Sequence, residues 1–214
     1  MSASPSATPV LRLASASPRR RELLAQIGVP HDVTPADIDE ACRPDEPPRE
    51  YVARVAREKA LRVHSRGQAP ALLPVLSADT VVVLDGTVFG KPLDRAQGLE
   101  MLAALCGRAH RVLTAVALVT RQGLTDALSE STVRLRETTE DERRAYWDTG
   151  EPRDKAGAYA IQGLGAVFVE SLEGSFSGVM GLPLFETARL LAAAGVPCWL
   201  GRGEAVSAGG RGAP

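Results

Sequence analysis

An apolar stretch with a single charge near its middle dominates the sequence. Residues 72–84 read LLPVLSADTVVVL, and Asp79 is their only ionisable side chain. A run of this length, rich in β-branched residues, predicts a strand that other elements cover on both faces. Sheets covered on both faces are typical of α/β proteins, so this stretch favours alternating strands and helices.

The rest of the chain supplies that alternation. Further short apolar strands are predicted at 10–14, 87–89, 112–120, 124–136 and 166–172. Helices are predicted from capping signals and apolar periodicity at 18–27, 49–65, 94–107, 139–148 and 183–194. Asp85-Gly86 predicts a hairpin turn. Because a hairpin occurs beside strand–helix alternation, the expected fold class is α/β with a mixed sheet.

Composition and charge argue against several classes of protein. The 25 Lys+Arg and 26 Asp+Glu leave a net charge of −1, which disfavours a nucleic-acid coat protein. No apolar run approaches the roughly 18 residues of a membrane span, and the first ten residues do not resemble a signal peptide. The three cysteines are far apart and predict no disulfide framework, so a reducing cytoplasm is the expected location. Neither a membrane nor a nucleic acid is an expected partner.

The 214 residues suit one domain. We predict that it covers residues 10–202. The segments 1–9 and 203–214 are rich in small and polar residues and are expected to be disordered tails.

The junction 13–24, LASASPRRRELL, places three arginines in the first turn of a predicted helix. Cations are unfavourable at the positive pole of a helix dipole, and a bound anion would reverse that penalty. Backbone N–H groups, the hydroxyls of Ser15 and Ser17 and the guanidinium groups of Arg19 and Arg20 would then bind a phosphate. A solvated basic turn is the alternative, and the P-loop pattern is absent.

Four charged residues elsewhere suit an anion and a metal. Asp79 in its apolar strand needs a partner, a metal or a raised pKa, unless it caps a loop at a strand end. Lys59 lies within the apolar stripe of helix 49–65, where it either faces a ligand phosphate or extends to solvent. Lys91 follows the returning strand and either joins Lys59 or is an ordinary loop lysine. Glu40 belongs to an acidic cluster that is either solvated or, with Asp79, suited to Mg²⁺ or Mn²⁺.

Six glycines between residues 155 and 184 suggest that backbone there lies against a ligand or a second backbone. Gln162, in the same segment, has an amide that can pair with the edge of a nucleobase. A set of tight turns is the alternative interpretation.

Three of these segments together resemble one family. LASASPRRRELL, SADTVVVLDGTVFGKP and DKAGAYAIQGLGAVFVESLEGSFSGVMGLPL are similar, in order and spacing, to the Maf family of nucleoside triphosphate pyrophosphatases. The resemblance runs from about residue 10 to about residue 198. YAIQGLGAVFVE resembles the branch that prefers dTTP and UTP over 7-methyl-GTP.

The resemblance implies a fold and an activity. The fold would be a mixed, strongly twisted sheet flanked by helices, with two lobes around a central cleft, as in inosine triphosphate pyrophosphatases. The activity would be hydrolysis of the α–β phosphoanhydride bond of a nucleoside triphosphate, giving the monophosphate and pyrophosphate. The resemblance also implies a divalent cation, Mg²⁺ or Mn²⁺, and allows a homodimer.

The resemblance assigns roles to particular residues as well. Asp79 matches the family's proposed general base, although the sequence does not separate that role from metal binding. Positions linked to nucleotide selectivity match Arg19, Thr80 and Gln162. Polar positions lining the cleft match Ser15, Arg20, Glu40, Lys59 and Lys91. The alternatives are house-cleaning of modified pyrimidine nucleotides, a pyrophosphatase for modified purine nucleotides, and a non-enzymatic regulator of septum formation and cell division.

Overall fold

A seven-stranded mixed sheet forms the centre of the described residues, 8–66 and 73–199, of this computed structural model. Its strands are β1 Leu11–Leu13, β2 His31–Val33, β3 Val75–Leu84, β4 Thr87–Phe89, β5 Ala109–Thr120, β6 Gly123–Leu135 and β7 Val169–Glu173. The order across the sheet is β2-β1-β3-β5-β6-β7, and β4 pairs with β3 outside this path. The strands β1, β2 and β3 are parallel where they pair, and the other pairs are antiparallel.

Helices surround the sheet in the described part of the chain. They are α1 Pro18–Gln26, α2 Pro48–Ser65, α3 Arg95–Leu105, α4 Glu140–Asp148, α5 Phe176–Met180 and α6 Leu184–Ala193, with 3₁₀ helices at Glu151–Asp154, Ala156–Ala158 and Gly163–Phe168. The capping box of α4 is confirmed, because Thr139 and Glu142 each accept a hydrogen bond from the other's backbone N–H. Ser17 occupies the N-cap position of α1, but its side chain makes no capping hydrogen bond.

The pairing of β3 leaves an opening along one of its edges. On that edge β1 pairs with Val75 and Leu76, and β4 pairs with residues 82–84. Residues 77–81 lie between these two partners and have no strand on that side. The opening contains Asp79 and Thr80, whose other neighbours are Ala115 and Thr114 of β5. The sheet therefore exposes one short piece of its central strand to a cleft.

Three buried clusters cover the sheet. One packs α2 against β3 and β5, with Val52, Ala56, Val81 and Leu113 among its members. A second packs α1 and α6 against the opposite face around β1. The third packs α3, α4 and residues 156–168 against the far ends of β3 and β6. The predicted α/β class, with a mixed sheet flanked by helices, is confirmed, and β3 is covered on both faces as its apolar run indicates.

Several predicted boundaries differ from the structure. The strand predicted at 166–172 begins only at Val169, because the preceding apolar residues form the 3₁₀ helix Gly163–Phe168. The three-residue strand β2 and the five-residue helix α5 are too short to give a periodic signal. The strand predicted from residue 72 begins at Val75, and residue 72 lies outside the described residues. The tails predicted at 1–9 and 203–214 lie outside the described residues except for 8–9, which have no regular structure.

No helix within the described residues combines the length and apolar character needed to cross a membrane.

The contact between α3 and α4 is tight enough to test. A Cβ atom added to Gly98 would lie 2.0 Å from the ring of Trp147, which is buried. Overpacking costs about 2 kcal/mol in the middle of its usual range, and the gain of about 1 kcal/mol in helix propensity for Ala over Gly leaves a net loss of about 1 kcal/mol. We expect Gly98→Ala to lower the melting temperature by about 2–4 °C. Calorimetry measures this, with Glu100→Ala on the exposed side of α3 as the control; a melting temperature at or above that of wild type contradicts the packing argument.

Candidate active site

A cleft of about 730 Å³ opens beside the unpaired edge of β3. Residues that are distant in sequence line it, from β3, α1, α2, the loop before α2 and the segment 154–162. The structure brings all the residues predicted for the site to this cleft: Ser15, Arg19, Arg20, Glu40, Lys59, Asp79, Thr80, Lys91 and Gln162. The roles assigned to them remain predictions, while their proximity is a property of the fold.

Lys59 bridges two carboxylates at the base of the cleft. Its Nζ donates to Asp79 Oδ1 at 2.8 Å and to Glu40 Oε2 at 2.7 Å. Asp79 and Lys59 are only 7% and 8% exposed. The ammonium group therefore lies inside the cleft rather than extending to solvent along the helix surface. Asp79 also lies in the middle of β3, which excludes the alternative of a loop cap at a strand end.

Contacts from α2 hold the loop that carries Glu40. The Tyr51 hydroxyl donates to the Glu40 carbonyl at 2.9 Å, and Arg54 Nη2 donates to the Ala41 carbonyl at 3.0 Å. Arg54 also donates to both carboxylate oxygens of Glu46, at 2.6 and 2.7 Å. These hydrogen bonds lower the pKa of Glu46 to about 2 and raise the pKa of Arg54. Burial, reinforced by the Asp79 and Glu40 charges, raises the pKa of Tyr51 to about 12.

Arg20 links three parts of the cleft wall. Its guanidinium group donates to the Gly181 carbonyl at 2.8 Å, and to the hydroxyls of Ser15 and Thr80 at 3.2 Å each. Burial lowers the pKa of Arg20, partly offset by the charge of Asp79. Three of its five N–H groups are therefore committed to the protein, which leaves fewer for a ligand.

Arg19 reaches across the cleft instead. Arg19 Nη1 lies 3.4 Å from Asp154 Oδ2, a long contact between partly exposed groups. Lys155 donates to the same carboxylate at 2.7 Å and to the Glu151 carbonyl at 2.6 Å. Lys91 is exposed at the rim.

The cleft carries a positive balance of charge. Its cationic lining residues are Arg19, Arg20, Lys59, Lys91 and Lys155, and its acidic ones are Glu40, Asp79 and Asp154. Among the described residues, these five cations and three anions leave a net formal charge of +2, in a chain whose total is −1. A cleft of this sign concentrates polyanions. The prediction that these separated basic residues form one anion-binding surface is consistent with this arrangement.

Gln162 stands apart from this charged group. Its side chain is half-buried and lines the cleft, and its amide has no hydrogen-bond partner among residues 8–66 and 73–199. A primary amide presents two donors and one carbonyl acceptor. It is thus a polar group available to a ligand.

Residues important to the geometry were missed by sequence reasoning. Tyr51, Arg54, Asp154 and Lys155 are of types common on any polar surface, and no pattern distinguishes them. For Tyr51 and Arg54 the long loop before α2 is a signal, because long loops in compact domains are uncommon and often functional. No such signal indicates Asp154 and Lys155.

The described residues contain no cluster of three or more His, Cys, Asp or Glu side chains arranged to hold a metal ion. A cation that shares its coordination with substrate phosphates requires only one or two protein carboxylates. Glu40 and Asp79 supply oxygen donors of that kind, and both reach the same Lys59 Nζ. The donor set therefore fits a substrate-bridged Mg²⁺ or Mn²⁺ and does not fit an all-protein cage.

A buried histidine supports the cleft wall and makes stability depend on pH. His110 is 3% exposed; its Nε2 lies 2.8 Å from the hydroxyl of Tyr159, which lines the cleft, and its Nδ1 has no partner among the described residues. Burial lowers the pKa of His110 to about 4 from 6.5. Between pH 6.5 and 4 the unfolded chain binds a proton that the folded protein does not. The contribution of neutral His110 to the free energy of unfolding is therefore fully present above pH 6.5. It decreases as the pH falls toward 4, by up to about 3 kcal/mol.

We expect His110→Gln, which can still bond Tyr159 but cannot titrate, to flatten this part of the pH profile. Denaturant unfolding of wild type and variant at pH 7.5, 6, 5 and 4 measures the difference. The two proteins should differ by a constant amount above pH 7, which reports packing alone. Parallel profiles between pH 6.5 and 4 would show that His110 does not titrate as described.

Comparison with known proteins identifies the family. A family model described as Maf-like protein matches residues 10–194. A curated relative from Bordetella avium (strain 197N), named dTTP/UTP pyrophosphatase, is 53% identical over 194 residues, covering 88% of this chain and 96% of its own. Relatives of the same name from Alkalilimnicola ehrlichii and Methylococcus capsulatus are each 55% identical, covering 87% and 85% of this chain and 94% and 89% of their own. The resemblance seen in the three motifs thus extends along almost the whole chain, which belongs to the Maf-like protein family.

Proposed function

We propose that this protein hydrolyses dTTP and UTP at the α–β phosphoanhydride bond and releases the nucleoside monophosphate and pyrophosphate. The observation that carries the proposal is the buried Asp79–Lys59 pair, with Glu40 on the same ammonium group, at the base of a cleft with a positive charge balance. Relatives more than 50% identical over nearly their full length bear the name dTTP/UTP pyrophosphatase, which supports the substrate.

Asp79 is the proposed general base. Its Oδ1 accepts from Lys59, and its Oδ2 is the oxygen left to orient a water. As that water attacks in line with the leaving pyrophosphate, the carboxylate takes its proton. Lys59 holds the carboxylate in position, since its Nζ is fixed by Glu40 on the other side.

The remaining cations neutralise the phosphate oxygens. Arg19 and Lys155 share Asp154, and the contact of Arg19 with that carboxylate is long and partly exposed. A triphosphate would bind the Arg19 guanidinium group more strongly than this carboxylate does. Lys91 approaches from the rim. Arg20, with three N–H groups committed, maintains the positions of Ser15 and Thr80 in addition to adding charge.

A divalent cation, Mg²⁺ or Mn²⁺, belongs to the proposal. Glu40 would hold it through a carboxylate oxygen, and Asp79 would be the second ligand in the alternative in which its Oδ2 binds the cation rather than the water. When bound, it would supply positive charge to the phosphate oxygens at which negative charge develops.

Gln162 and Thr80 are the proposed selectivity residues. The unpartnered Gln162 amide offers a donor and an acceptor to the pairing edge of a pyrimidine. A base that leaves such a half-buried amide unpaired binds less well, because the desolvated group is not compensated. Modified pyrimidine nucleotides with the same edge remain within the proposal.

Location, domain extent and partners complete the proposal. We place the protein in the cytoplasm as a single catalytic domain over residues 10–202, with a homodimer as one possible assembly and without membrane or nucleic-acid partners; the net charge of −1 supports the last point. Neither the pyrophosphatase for modified purine nucleotides nor the non-enzymatic regulator of septum formation and cell division is favoured. A binding module has no need for the buried Asp79–Lys59 pair.

Pyrophosphate release tests the reaction and the role of Asp79 together. Wild-type protein with metal should turn over dTTP and UTP faster than CTP, GTP or ATP. Asp79→Asn should reduce the rate by about 100-fold or more, the usual contribution of a general base. Asp141→Asn, at an exposed position in the first turn of α4, is the matched control and should keep wild-type activity. A folded Asp79→Asn protein with near-normal turnover, or a wild type that prefers purines, would refute the corresponding part of the proposal.

Metal titration tests the assignment of Glu40. Glu40→Gln removes one carboxylate charge, so we expect the Mn²⁺ concentration for half-maximal activity to rise by about tenfold. Calorimetric titration of Mn²⁺ in the presence of the product monophosphate should give the same ratio without relying on turnover. Glu50→Gln, at an exposed position in the first turn of α2, is the control and should behave as wild type. An unchanged Mn²⁺ requirement in Glu40→Gln would remove Glu40 from the metal site.

A further inference from the structure

The segment that carries Gln162, residues 160–165, is fixed on both sides by two side chains from outside it. The Tyr146 hydroxyl, from α4, accepts a hydrogen bond from Ala160 N at 3.0 Å. Glu151, at the start of a 3₁₀ helix, accepts from Leu164 N at 2.9 Å through Oε2 and from Gly165 N at 2.8 Å through Oε1. Tyr146 in turn donates to Glu151 Oε1 at 2.8 Å. One connected network thus holds the backbone before and after Gln162.

The network is buried at Tyr146 and charged at Glu151. Tyr146 is 5% exposed, and its ring packs edge-to-face on Phe168 at 5.1 Å between centroids. Burial, which favours the neutral acid, is outweighed at Glu151 by the N–H groups of Leu164 and Gly165, so the pKa of Glu151 lies below its ordinary value. The carboxylate is charged at neutral pH and accepts three hydrogen bonds, the arrangement in which such bonds are strongest.

The backbone lies directly against this carboxylate. Gly163 has φ +76°, and a Cβ atom added there would lie 2.3 Å from Glu151 Oε2. Only glycine fits this approach without strain. The segment is therefore restrained at residues 160, 163, 164 and 165, whereas the Gln162 side chain between them has no partner among the described residues.

We propose that Glu151 and Tyr146 are positioning residues for base selectivity, which set how far the Gln162 amide extends into the cleft. The inference rests on the proposed function and adds two residues to it. The pairing edge of a purine lies farther from its sugar than that of a pyrimidine. An amide held at one depth therefore pairs well with bases of one size only. Release of the segment lets the amide retreat and admits the larger base.

The test is the ratio of kcat/KM for UTP to kcat/KM for GTP. In Glu151→Gln one oxygen becomes an NH₂ group that faces a backbone N–H, so the network loses an acceptor and gains a repulsion. We expect this ratio to fall by about tenfold, the effect of one charged hydrogen bond. The change should appear mainly as a lower KM for GTP. The kcat for UTP should change much less, because Asp79, Lys59 and Glu40 lie on elements that are not part of this network. Glu170→Gln, exposed on β7, is the matched control.

Tyr146→Phe provides a second variant that keeps the ring packing and removes only the hydroxyl. It should lower the ratio in the same direction, and it carries the test if Glu151→Gln fails to fold. A double-mutant cycle separates positioning from general stability. In a Gln162→Ala background, Glu151→Gln should change the ratio little further, whereas an effect independent of Gln162 would be retained in full.

The outcomes distinguish the two proposals. A wild type without a preference for UTP overturns both. A selective wild type whose ratio is unchanged in Glu151→Gln and Tyr146→Phe overturns only the positioning role. A ratio unaffected by Gln162→Ala, or additive effects of Gln162→Ala and Glu151→Gln, also overturns it, because selectivity would then arise elsewhere.

Discussion

The ammonium group of Lys59 makes the rest of the site possible. A carboxylate in a strand covered on both faces loses its hydration, at a cost of several kcal/mol for a lone charge. Asp79 retains this position because Lys59 donates to it from α2, and Glu40 accepts a second hydrogen bond from the same ammonium group. The three groups come from the sheet, a helix and a loop. The same interaction that compensates the buried charge therefore joins the three elements that form the base of the cleft.

The shape of the cleft follows from an interruption in the sheet. If β1 continued beside β3, backbone hydrogen bonds would occupy the edge at residues 77–81. β1 instead ends at Leu13, where the chain continues into α1. The pairing of β4 with β3 ends at Val82, so β4 does not reach the opening either. The opening gives a ligand access to a central strand, the most firmly held part of the sheet. Reactive groups on such a strand keep their geometry when loops around them move.

The sequence predicts the charged part of the site better than the rest, for physical reasons. Asp79 and Lys59 are conspicuous because a charge interrupts an apolar pattern, and Arg19 and Arg20 because they oppose a helix dipole. Arg54, Glu151 and Tyr146 do not interrupt an apolar pattern. They hold irregular segments through hydrogen bonds to backbone groups that only the fold brings to them. Residues 166–168, predicted as the start of a strand, belong to a 3₁₀ helix, since the contact of Gly163 with Glu151 and its left-handed backbone are tertiary features that periodicity does not reveal. Periodicity detects elements, not the side chains that hold irregular backbone.

One wall of the cleft is held by regular secondary structure and the other by hydrogen bonds from side chains. The Asp79 wall belongs to a strand that is paired with β5 along residues 75–83 and to an 18-residue helix. The Gln162 wall consists of short 3₁₀ turns, whose backbone depends on side-chain hydrogen bonds from Tyr146 and Glu151. A substitution in the second wall can shift a binding group without disturbing the first. This separation allows the preferred base to change through residues 146–165 while the reaction at Asp79 stays the same.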